Sequence, residues 1–127
     1  MRVIIDSGVL IALERSPRPL TQQFDALAAR SGHVALVPAT VVAQVWRTGS
    51  DRQAPLAAFL SQSDIDPLSD DRARAVGRLL AASGTNDIAD AHVVEAALSG
   101  DVVFTSDPVD IARLAHAAGK QLAIVAV

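Results

Sequence analysis

The chain has 127 residues, 50% of them apolar and none of them cysteine, with a formal net charge of −3. This is the size of one domain with one buried core, leaves no disulfide or thiolate site, and argues against a protein that coats nucleic acid through a strongly basic face. No stretch approaches the roughly 20 uncharged apolar residues of a membrane span, and the N-terminus lacks the pattern of a secretory signal, so the expectation is a soluble cytoplasmic protein.

Short apolar runs alternate with helical patterns along the chain. Val3, Ile4 and Ile5 form a β-rich run that ends at Asp6, and Val9 to Arg15 reads as a short helix. Pro17 and Pro19 break it, because each fixes φ and withholds a backbone donor. Leu20 to Ala29 is the next helical pattern, and Val34 to Val37 a second strand stopped by Pro38. A helix follows from Thr40 to about Arg47, then a turn at Gly49, Ser50 and Asp51, a helix over Gln53 to Gln62 and a weak strand over Asp64 to Leu68. Ser69 to Ser83 is strongly helical, with Ala73, Val76, Leu79 and Leu80 on one face. Beyond the break at Gly84 to Asn86, Ile88 to Leu98 reads as a helix and Val102 to Thr105 as a fourth strand. Val109 to Ala118 is a last helix closed by Gly119, and Leu122 to Val125 a fifth strand. Strands separated by helices in this order predict an α/β fold: right-handed crossovers and a mainly parallel sheet of about five strands, flanked by helices in a single domain over residues 1–127.

In open sheets of this kind the reactive groups gather beyond the carboxyl ends of the strands. Asp6 directly follows the first strand, and Asp107 follows Val102 to Ser106, so both carboxylates belong to one edge of the sheet. Asp87 and Asp90 share a helix face at i, i+3 spacing near a helix N-terminus. That place favours negative charge by itself through the helix dipole, so capping competes with a site role, more so for Asp87 than for Asp90. With no cysteine present, any metal here is held by oxygen or imidazole, and hard oxygen ligands point to Mg²⁺ or Mn²⁺.

Taken in order, the segments Val3 to Ser7, Asp90 to His92 and Thr105 to Asp107 resemble the N-terminal, central and C-terminal acidic motifs of PIN domains, particularly the small VapC-type toxins of toxin–antitoxin pairs. The resemblance covers essentially the whole chain in motif order, spacing and length. It implies a metal-dependent endoribonuclease using Mg²⁺ or Mn²⁺, frequent homodimers, and inhibition by a cognate antitoxin protein. Asp6 and Asp90 are then the first candidates for direct metal ligands, with Asp107 third. Ser7 and Thr105 flank the acids and can donate hydrogen bonds to a ligand carboxylate or phosphate, or serve as local turn caps; Asp87 stands in the same supporting position.

One departure separates the chain from that pattern. Such domains usually carry a Glu on the helix after the second strand, where this sequence has Gln44. An amide offers one neutral carbonyl oxygen, so Gln44 is expected to position water or phosphate within the catalytic set, with metal affinity reduced. Thr40, Gln44 and Arg47 fall on one helical stripe, which places Arg47 either against a substrate phosphate at the rim or in an ordinary salt bridge. Gln44 also supports an alternative, a catalytically weakened PIN-like subunit kept for binding or regulation. A phosphatase of the haloacid-dehalogenase type is disfavoured, because its second Asp would stand where this chain has Gly8. His92 points about 100° away from Asp90 on the helix, and Trp46 is assigned to core or dimer packing. Few aromatics are present, so recognition of RNA would rest on shape and phosphate geometry more than on base stacking.

Overall fold

Three central strands carry little but aliphatic side chains, and their burial on both faces requires helices on both sides of the sheet. The computed structural model describes residues 1–47 and 53–127; the turn expected at Gly49, Ser50 and Asp51 lies outside them. The elements run β1 (Val3–Ile5), α1 (Ser7–Arg15), α2 (Pro17–Ser31), β2 (Leu36–Pro38), α3 (Ala39–Val45), α4 (Ala54–Ser61), β3 (Asp64–Asp66), α5 (Asp70–Ser83), α6 (Ile88–Ala96), β4 (Val102–Thr105), α7 (Pro108–Ala118) and β5 (Ala123–Ala126). All strand pairs are parallel, in the order β3-β2-β1-β4-β5. The chain moves outward from β1 through β2 to β3, then returns to lay β4 on the other side of β1. Ile5 pairs with Phe104, and the Asp6 N–H continues the ladder to the Phe104 carbonyl at 3.1 Å. The order of strands therefore reverses between β1 and β4, the place in an open parallel sheet beyond whose carboxyl ends ligands ordinarily bind.

The core lies on both sides of β1. Val9, Leu10 and Leu13 of α1, Val41 of α3 and Leu56 of α4 are buried, as are Ile111 and Leu114 of α7. Phe24 packs edge-on against Phe104 with centroids 5.1 Å apart and against Phe59 at 5.4 Å, so the chain's three phenylalanines form one cluster joining α2, α4 and β4. Helix α6 is buried on nearly every face, which its small residues Ala89, Ala91 and Ala96 permit. Its last turn is held by cations: Lys120 Nζ donates to the Val94 and Glu95 carbonyls at 2.8 and 3.0 Å, Arg72 to Glu95 at 3.1 Å, and Arg2 to Ala96 at 2.9 Å. These groups reach the carbonyls of the last turn, of which, among the described residues, only Val94 also accepts a backbone N–H, from Ala97 at 3.3 Å, and sit at the negative end of the helix dipole.

Several boundaries differ from the sequence expectation, each for a local reason. Helix α2 starts at Pro17, not Leu20, because proline lacks only an N–H that the first turn leaves unpaired anyway; the break falls on Ser16. Helix α6 stops at Ala96, where Ala97 turns extended and lets the Leu98 N–H reach Asp101 Oδ2 at 2.8 Å. Helix α3 stops at Val45. The Gln53 side chain takes over there, donating to the Val45 carbonyl at 2.9 Å and accepting from the Arg47 N–H at 2.8 Å. Gly119, at φ 66°, closes α7 as expected, in the left-handed conformation that glycine adopts without a Cβ penalty.

Candidate metal centre

The carboxyl edge of β1 and β4 is tied together by one carboxylate and one hydroxyl. Asp6 caps α1, its Oδ1 accepting from the Val9 N–H at 3.3 Å, and its Oδ2 accepts from the Thr105 hydroxyl. The same hydroxyl oxygen accepts the Asp107 N–H at 2.8 Å, so Thr105 links the Asp6 carboxylate to the backbone of the third acidic motif. Gly8 makes this approach possible: a Cβ there would lie 1.9 Å from the Ser106 Oγ. Asp6 is 2% exposed. Burial pushes its pKa up, and the Thr105 hydroxyl and nearby backbone N–H groups only partly offset that.

Asp90 enters from α6. Asp87 caps this helix, its Oδ1 accepting from the Asp90 N–H at 2.9 Å, which sets the Asp90 side chain in the first turn. Asp90 is 6% exposed, and its buried Oδ2 has no hydrogen-bond partner. Burial, then the charge of Asp87, then Asp107 and Asp6 push its pKa up to about 7. One carboxylate oxygen each from Asp90, Asp107 and Asp110 lies within 4.8 Å of the others. Among the described residues no salt bridge reaches Asp6, Asp90, Asp107 or Asp110. A buried, unpartnered carboxylate oxygen beside two further carboxylates suits a hard divalent cation, which supplies the missing partner and cancels the mutual repulsion.

The remaining sequence candidates separate. Thr105 is buried between Asp6 and Asp107, and Ser7 is half-buried in the first turn of α1. Gln44 is exposed and lines an open depression with Thr40, Asn86, Asp87 and Ala89, beside the start of α6. Arg47 does not share a helical stripe with it, because α3 has already ended; its guanidinium instead donates to the Trp46 carbonyl at 2.6 Å and the Ala43 carbonyl at 3.4 Å. Trp46 is 41% exposed and takes no place in the core.

Two features escaped the sequence reading. Asp110 joins the acidic cluster, at the same i, i+3 spacing from Asp107 that separates Asp87 from Asp90. His92 is fully buried and clamped, with Nδ1 2.8 Å from the Thr40 hydroxyl and Nε2 2.8 Å from Asp66 Oδ2; Arg72 approaches the same carboxylate at 3.3 Å. This network joins α3, α5 and α6 to the end of β3. No local signal reveals it, since His92 and Asp66 meet across 26 residues.

A five-stranded parallel sheet in this order, with acids gathered at its carboxyl edge, is the α/β fold of PIN domains. Two solved structures show it. The chain matches VapBC2 from Rickettsia felis, crystallised with a DNA fragment from its promoter, with a TM-score of 0.71 at 15% identity, covering 98% of this chain and 99% of that one. It matches DNA-bound VapBC from Salmonella typhimurium with a TM-score of 0.69 at 14% identity, covering 98% of each. At such identities the likeness is one of fold. No protein-family model matches the chain, and no curated protein is a significant match.

Proposed function

We infer that residues 1–127 form a PIN-like nuclease domain that hydrolyses RNA phosphodiester bonds with Mg²⁺ or Mn²⁺, as the toxin of a toxin–antitoxin pair. The observation that carries this reading is the Asp90 carboxylate, with its buried, unpartnered Oδ2, grouped with those of Asp107 and Asp110 at the switch point of a VapC-like sheet. Asp6, Asp90 and Asp107 are the acids assigned to the cation. Bound there, a divalent ion supplies an activated water and neutralises charge on the scissile phosphate. The chain's own residues do the positioning. Thr105 fixes the rotation of the Asp6 carboxylate and the turn that presents Asp107, Asp87 sets the first turn that aims Asp90, and the Ser7 hydroxyl and Gln44 amide are available to water or phosphate. Arg47, released from its helix carbonyls, is the remaining phosphate contact in this reading.

Without a cation the four acids repel a polyanion, so the same cleft attracts a guanidinium. A cognate antitoxin that inserts a basic side chain fits this electrostatics, and the structural neighbours are themselves VapBC complexes. The family's homodimer belongs to the same reading. No described helix is long and apolar enough to cross a membrane.

The test is cleavage of a structured RNA by the full chain with and without Mn²⁺, alongside Asp6→Asn and Asp90→Asn. Metal-dependent cleavage lost in both variants is the expected result. Because Gln44 brings no charge, a weakened binding subunit is the competing reading; it predicts that wild type binds Mn²⁺ yet leaves the RNA intact.

A further inference from the structure

The acids of the carboxyl edge are not equivalent in what they already do. Asp6 and Asp87 use carboxylate oxygens to cap α1 and α6. Asp107 occupies the same position before α7, yet its side chain makes no cap; its own N–H is taken by Thr105. Pro108 at the first helical position removes one N–H that the helix would leave unpaired, but not those of Val109 and Asp110, which a cap side chain ordinarily reaches. The Asp107 carboxylate nevertheless makes no cap bond to them. Three residues on, at the position from which an acid ordinarily reaches back to the cap residue's N–H, Asp110 finds that N–H already bonded. Both carboxylates instead converge on Asp90.

An acid in a first helical turn is common for reasons of the helix dipole alone. What sets Asp110 apart is the residue it joins: one carboxylate oxygen each of Asp90, Asp107 and Asp110 lies within 4.8 Å of the others, and the Asp90 carboxylate has a buried oxygen, Oδ2, without a hydrogen-bond partner. Helix α3 lines a neighbouring depression at the start of α6 with the uncharged side chains of Thr40, Ala43 and the exposed Gln44. Resting on the nuclease reading above, we propose that Asp110 completes the cation site of this chain from α7, supplying the carboxylate that Gln44 does not supply from α3. Asp110 thus joins Asp6, Asp90 and Asp107, and the charge of the site is weighted toward β4 and α7.

The experiment is calorimetric titration of Mn²⁺ into the full chain, for wild type, Asp110→Asn, Asp90→Asn and Asp71→Asn. Asp71 is an exposed first-turn acid of α5 and reports the removal of one such charge away from the cleft. Loss of one charged ligand should weaken Mn²⁺ binding by about tenfold or more in Asp110→Asn, while Asp71→Asn stays within about twofold of wild type. Metal-free melting of Asp110→Asn, recorded in parallel, should match or exceed wild type, since repulsion is relieved; a structural role alone would lower it and leave the affinity of the folded protein intact. Wild-type affinity in Asp110→Asn beside lost binding in Asp90→Asn overturns the assignment of Asp110 and leaves the metal-centre reading standing. Unaltered binding in Asp90→Asn, or none in wild type, overturns both.

Discussion

Asp101 and Asp90 are both buried aspartates, at opposite ends of the same parallel sheet. At the amino end, Asp101 Oδ1 accepts the Arg2 N–H at 2.8 Å, while Oδ2 accepts from the Leu98 N–H at 2.8 Å and from the Arg2 guanidinium at 3.1 and 3.2 Å. Burial alone would raise its pKa, but these donors and the Arg2 charge hold it below the usual carboxylate value. At the carboxyl end, Asp90 has a bare oxygen, three acidic neighbours and a pKa pushed up to about 7. One carboxylate fastens β1 and β4 together at their start; the other is held against its preference at their finish. A carboxylate so placed marks a candidate ligand site, whereas the paired end has all the donors it needs.

The largest effect should come from breaking the paired end. Asp101→Ala leaves the Leu98 and Arg2 N–H groups and a partly buried guanidinium without an acceptor, and should cost about 3 kcal/mol by denaturant unfolding. A loss under about 1 kcal/mol would mean that water replaces the carboxylate and that this end is no anchor.

At the other end the sign reverses. Asp90→Asn removes a charge that the metal-free fold opposes, so near pH 7.5 the variant should be more stable than wild type by about 1–2 kcal/mol, while the Mn²⁺-dependent rise in melting temperature disappears. A destabilised Asp90→Asn would show that the carboxylate has a cationic or donor partner in the metal-free protein.

Titration sharpens the same contrast. A carboxyl whose folded pKa lies above its unfolded value of 3.8 binds its proton more tightly in the native state, so its contribution favours folding at low pH and is withdrawn between about pH 4 and 7. Asp101, lowered on folding, stabilises above the ordinary carboxylate range, and that contribution is lost as pH falls through its folded pKa. Metal-free wild type should therefore lose stability on both limbs. Asp90→Asn should flatten the limb toward neutrality by on the order of 1–3 kcal/mol and leave the acid limb unchanged. Saturating Mn²⁺ should flatten it in wild type too. A neutral limb that survives in Asp90→Asn would place the raised carboxyl elsewhere, Asp6 being next in line.

Much of this was legible locally. Asp6 directly follows Val3-Ile4-Ile5, and Asp107 stands one residue beyond the run Val102 to Thr105, so their place at one sheet edge needed only the parallel alternation of elements. The pairings that define the contrast were not legible. Arg2 and Asp101 stand 99 positions apart, His92 and Asp66 26, and no periodicity brings such residues together. Arg47 shows the opposite failure, a local pattern overruled: the stripe it shares with Thr40 and Gln44 exists only if α3 continues, and the Gln53 amide ends that helix at Val45. Asp110 was hidden by plausibility, since an acid in a first turn needs no explanation until its neighbours are seen.

The smallest effect concerns Gln44, where the chain departs from the pattern it resembles. Gln44 is exposed and shares its depression with Asp87, so a carboxylate there sits at the outer margin of the cluster, where water screens it. Gln44→Glu adds negative charge on the α3 flank and should tighten Mn²⁺ binding, but by only about two- to fivefold, less than Asp110→Asn loosens it. The metal-free protein should lose about 0.5 kcal/mol or less near neutral pH, because the added charge raises the cost of ionising Asp90 without itself being buried. Titrations and melts of the two variants side by side rank the flanks. A gain in affinity from Gln44→Glu that exceeds the loss from Asp110→Asn would move the weight of the site back to α3, and with it the explanation of how this chain manages without the usual acid.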